Sequence, residues 1–156
     1  MKQQSNIILK VGITVFALAT MVLYLFTPLF KIAFDGVSTG VDYIEQVWRI
    51  GGFNNIASFL LPLIGGVGAI AMTWVKGRGQ HILSLAFAML PVLFYTFMII
   101  RVNAYTKESI VGLGATSLFD FVGFGAWMAL LSGVITMIFS FILIYKEYKE
   151  SKLQTT

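Results

Sequence analysis

The chain has 156 residues, 58% of them hydrophobic and only 12% charged. An average soluble domain carries about 25% charged residues and fills ~100–200 positions, so the length allows one domain and the charge content is too low for a water-exposed surface. The formal net charge of +4 invites a nucleic-acid reading, but no basic run or basic–aromatic interleaving of the kind used on single strands is present. There is no cysteine, which removes disulfide scaffolds, thiol catalysis and cysteine-type zinc sites.

The charges are segregated. Four stretches, 11–30, 56–75, 82–100 and 121–145, contain no Asp, Glu, Lys, Arg or His. About 20 apolar residues rising ~1.5 Å each cross a hydrocarbon core of ~30 Å. The sequence therefore predicts an all-α polytopic membrane protein, one domain over 1–156, built as a four-span up-down bundle. Lys2, Lys10, Lys76, Arg78, Lys146, Lys149 and Lys152 flank one side of these spans, whereas Lys31, Arg49, Arg101 and Lys107 share the other with five carboxylates. By the positive-inside rule both termini are cytoplasmic, and a bacterial cytoplasmic membrane is the expected location.

In chain order, the first span carries Lys2 and Lys10 before it and Pro28 in its last outer turn. Its apolar run is longer than the ~7–15 residues of a signal-peptide core, so it reads as an uncleaved span. The first external loop follows. Within it Val41, Ile44 and Trp48 recur at helical spacing while Glu45 and Arg49 form an i,i+4 pair. Residues 41–50 are expected to form a short amphipathic helix at the membrane surface.

Asn54 or Asn55 is placed to cap the second span, which contains Pro62 and then Gly65, Gly66 and Gly68. The link at 76–81 reads as a tight cytoplasmic turn, with His81 as a turn residue. The third span contains Pro91. Residues 101–120 read as a second external loop, and the Lys/Glu alternation of 146–152 as a solvated extension of the fourth helix.

In lipid, small residues that permit close backbone approach mark helix interfaces. Gly65, Ala69 and Thr73 repeat at four-residue spacing in the second span, as do Gly125, Ala129 and Gly133 in the fourth. These seams are candidate faces for packing within the bundle or for a membrane-protein partner. Tyr24, Tyr95 and Trp127 fall at similar depth below the outer boundary, with Asn54, Asn55 and Ser58 on the same side. They are expected to form either an interfacial aromatic belt or an outward-facing pocket for a lipid or small apolar ligand.

No span holds an ionisable residue of the kind that carries proton- or ion-coupled transport. No nucleophile–base pair, metal-ligand set or phosphate loop is visible, and no cofactor is expected. The order of spans resembles that of claudins and tetraspanins, but their cysteine motifs are missing and no family is assigned. The leading expectation is a non-catalytic accessory, regulatory or immunity-type subunit in the bilayer. A self-associating pore, holin-like protein or carrier is one alternative, and a lipid-binding module another.

Overall fold

A computed structural model describes residues 2–32, 36–39, 41, 53–75, 79–109 and 122–153. Four helices carry the architecture: α1 (Lys2–Phe26), α2 (Phe53–Trp74), α3 (Gln80–Ser109) and α4 (Phe124–Leu153). Outside the helices a three-residue antiparallel ladder joins β1 (Phe30–Ile32) to β2 (Gly36–Ser38), with Phe30 opposite Ser38. Three stretches, Asn6–Phe26, Gln80–Ile100 and Phe124–Lys152, are long and apolar enough to cross a membrane. They mark the chain as an integral membrane protein. The apolar stretch described in α2, Leu60–Trp74, is shorter.

The helix boundaries depart from the sequence reading for local reasons. The first span was expected to reach residue 30, but α1 stops at Phe26. The pyrrolidine ring of Pro28 crowds the preceding residue out of the α region, so the helix ends before it rather than around it. By contrast α3 runs to Ser109, through residues whose polarity alone suggested a loop. Polarity reports exposure, whereas Arg, Ala, Lys and Glu at 101–108 are all good helix formers. Pro62 and Pro91 both lie inside helices. The tail continues α4 without a break to Leu153. Of the expected amphipathic helix only Val41 is described, in helical conformation; Ile44, Glu45, Trp48 and Arg49 lie outside the described residues.

Cross-helix contacts fix the directions. Gly12 of α1 faces Phe139 of α4, and Gly125 faces Thr27 just beyond α1. Met21 lies against Gly66, while Thr14 accepts a hydrogen bond from the Trp74 indole. Pro91 packs on Gly65, and Val92 on Gly133. Each helix is thus antiparallel to two neighbours, and the four close a ring, α1–α2–α3–α4–α1. The start of α1 and the end of α4 share one end of this ring.

Where α1 hands over to α4 no loop joins them, and backbone atoms make the connection. The Gly123 N–H donates to the Leu29 carbonyl (2.8 Å) and the Gly125 N–H to the Pro28 carbonyl (3.1 Å). The second bond satisfies one of the amides left orphaned in the first turn of α4. A Cβ at either glycine would overlap the Pro28 carbonyl oxygen, so the close approach requires glycine. At the other end Gly79, with φ +84°, turns the chain into α3 and its carbonyl accepts from Ile82 (3.1 Å) and Leu83 (3.2 Å). A positive φ of this size suits a residue without a Cβ.

Candidate functional site

All six seam residues turn into the ring. Ala69, Thr73 and Ala129 are fully buried. A Cβ on Gly65 would lie 2.5 Å from Pro91 Cδ and 2.7 Å from the Phe87 carbonyl oxygen, whereas one on Gly133 would meet Val92 Cγ2 at 3.2 Å. Gly65 is therefore a point of backbone contact, and Gly133 a looser one. Thr73 Oγ1 and Ser84 Oγ lie 2.7 Å apart, at 2.7 and 3.0 Å from the Ala69 carbonyl oxygen. With one proton each, one hydroxyl donates to the carbonyl and the other to its neighbour. This joins α2 to α3 without removing any helix bond.

The same device joins α1 to α4. The Phe16 carbonyl accepts from Thr20 Oγ1 (2.9 Å) within α1 and from Ser132 Oγ (2.8 Å) across the interface. Thr136 donates to the Ser132 carbonyl at 2.9 Å. The Ser140 hydroxyl is buried with no hydrogen-bond partner among the described residues. The hydroxyl stripe of α4 is thus enclosed in the ring and mostly engaged by backbone.

At the end away from the termini, Tyr24, Phe94 and Tyr95 form an edge-to-face cluster with ring centroids 5.4–6.4 Å apart. Such geometry sets the positive ring edge against a negative face. Leu29, Val122, Ala126 and Ala129 complete this core, and Trp127 packs against it. The depth match read from the sequence brings Tyr24 and Tyr95 together, and both are wholly enclosed rather than exposed on a cleft wall. The Tyr95 hydroxyl has no partner among the described residues. Asn54, Asn55 and Ser58 lie in the first two turns of α2, and their side chains lie outside the described residues.

The end that carries the termini is built differently. The Trp74 indole donates to Thr14 Oγ1 at 2.9 Å, and the Lys10 ammonium lies 6.0 Å from the Trp74 ring centroid. That is the outer limit of a cation–π contact. His81, expected in a turn, instead occupies the first turn of α3 and is buried, with Nε2 2.8 Å from Glu147 Oε1 of α4. Sequence reading missed this pair because the partners are 66 positions apart and a lone histidine beside a glycine turn looks solvent-facing. The register of α3 on α4, which only the packed helices supply, is what brings the two together. With Val92 opposite Gly133, stepping back along α3 to residue 81 leads forward along α4 to about 144–147.

Among the described residues no three His, Asp or Glu side chains come together as a metal site. The outside of the ring is apolar on every helix: Val15 on α1, Val67 on α2, Leu93 on α3 and Phe141 on α4 are all exposed. No protein-family model, curated protein or solved structure matches the chain.

Proposed function

We propose that this chain is a non-catalytic four-span protein of a bacterial cytoplasmic membrane, with both termini in the cytoplasm, acting as an accessory, regulatory or immunity-type subunit of another membrane protein. The observation that carries the reading is the closure of the ring. Its small-residue seams and aromatic core, and the Ser132 and Thr136 hydroxyls, are engaged within the chain, and large apolar side chains on every helix face outward.

A conduit through one chain would need a continuous hydrated stripe. Ser132 and Thr136, its nearest approach, donate to the Phe16 and Ser132 carbonyls instead. With the seams enclosed, partner contact moves to the outer apolar surface and to the loop segment 41–50, whose sequence carries Glu45, Trp48 and Arg49. Aromatic and arginine anchors of this kind dominate many interfaces.

In-cell photo-crosslinking tests the reading, with a photoreactive side chain at Trp48, at exposed Leu93 and, as an internal control, at buried Ala69. The expected result is adduct formation with a second membrane protein from Trp48 or Leu93 and none from Ala69. Adducts only between copies of this chain would replace the proposal with self-association. An absence of any protein adduct would refute it.

A further inference from the structure

His81 is the only Asp, Glu, Lys, Arg or His side chain among the described residues that is buried. In a bilayer such a group costs free energy wherever it sits in the apolar layer, and it persists where it has a partner and a role. Its surroundings differ by element. From α4 the Glu147 carboxylate accepts at Nε2, and from α1 Lys10 brings a positive charge within electrostatic reach of the ring. Between residues 53 and 74, α2 carries no ionisable side chain at all. Nδ1 is buried and has no hydrogen-bond partner among the described residues.

This geometry treats the two protonation states of the imidazole unequally. In the neutral form Nε2–H donates to Glu147, and Nδ1 is a bare lone pair against packed side chains. A second proton converts Nδ1 into a donor with no acceptor among the described residues, beside the charge of Lys10. A buried donor left unsatisfied costs about 1–3 kcal/mol, and more when charged. Relief requires water at Nδ1 or rotation of the ring, and either separates the start of α3 from α4. Three residues further along α3 lies the Thr73–Ser84 hydroxyl pair, the next polar layer to be reached.

We propose that His81 and Glu147 form a proton-operated latch between α3 and α4 at the end that carries the termini, closed while the imidazole is neutral and open once it takes a second proton. The latch stands on this chain alone and is independent of any partner. It opens as pH falls through the imidazole range, and the C-terminal extension of α4 beyond Glu147 moves with it.

The test uses the full chain in lipid nanodiscs. The protein has no cysteine, so Ile82→Cys and Tyr148→Cys, both exposed positions, give a single pair of spin labels across the latch. Distances are measured at about pH 8 and about pH 5, either side of the ordinary imidazole pKa of ~6.5. The expected result is a short, narrow distribution at the higher pH and a longer, broader one at the lower. In His81→Gln, whose amide still donates to Glu147 but does not titrate, the short distribution persists at both. Glu147→Gln keeps an acceptor for Nε2–H but withdraws the charge that steadies the imidazolium in the closed state, so opening shifts to higher pH. This variant carries the test if His81→Gln fails to insert. An unchanged distance in the unmodified background, a pH response that survives in His81→Gln, or an unshifted one in Glu147→Gln would each overturn the latch.

Discussion

The two ends of the helix ring are held by different physics. At the aromatic end the joint between α1 and α4 is made of backbone: two glycine N–H groups on the carbonyls of Pro28 and Leu29, above a packed Tyr24–Phe94–Tyr95 cluster. At the end that carries the termini the joints are side chains: Trp74 on Thr14, Thr73 on Ser84, His81 on Glu147. Backbone joints have one geometry and no titration, and they fail only when something bulky enters. Side-chain joints exchange partners with water and respond to protons. The comparison teaches that a membrane bundle can keep one end fixed in shape and leave the other adjustable.

Substitutions break the comparison from the rigid end first. Gly125→Val places a branched side chain where a Cβ already meets the Pro28 carbonyl, so the loss of thermal stability in detergent belongs at or above the top of the ~1–3 kcal/mol range for overpacking. Gly65→Ala meets the Phe87 carbonyl and the Pro91 ring and costs about 1–3 kcal/mol. Gly133→Ala is its control. Its one tight contact, 3.2 Å to Val92 Cγ2, is relieved by a shift of a few tenths of an ångström, so it should be near neutral, or stabilising by up to ~1 kcal/mol through helix propensity. Equal losses at positions 65 and 133 would show that the two seams are alike in tightness.

Tyr95→Phe removes a buried hydroxyl that has no partner among the described residues. Denaturation should find it unchanged or more stable by about 1 kcal/mol, since a buried unsatisfied group costs ~1–3 kcal/mol. A clear loss would reveal an acceptor for that hydroxyl. The smallest effect is at the adjustable end. A double-mutant cycle of Thr73→Val and Ser84→Ala should give a coupling near the ~0.6 kcal/mol average for hydrogen bonds between membrane helices. A coupling of several times that size would make this end as fixed as the other.

The sequence made the membrane class, the helical character and the shared face of the small-residue seams legible, because each depends on local composition or spacing, while the choice between packing within the bundle and a partner stayed open. Gly65, Ala69 and Thr73 share a face whatever lies opposite. Residues 101–109 were misread because polarity was taken for irregularity. The His81–Glu147 pair was invisible for a different reason. It depends on how α3 registers against α4, and that register is set by Gly133 receiving Val92, a contact that no window of sequence contains. The aromatic cluster lies between these cases: the matched depth of Tyr24 and Tyr95 was readable, their mutual enclosure was not.

The backbone clip between α1 and α4 also has a consequence in time. α1 leaves the ribosome before α4, so Pro28 and Leu29 wait for Gly123 and Gly125 while the residues between them are made. During that interval the Ser132-accepting face of α1 can meet only lipid or the neighbouring α2 hairpin. The interface between α1 and α4 is one of the two most extensive among the described residues, so much of the tertiary structure waits for α4. Until α4 is made the ring cannot close, and the face of α1 that α4 covers stays open.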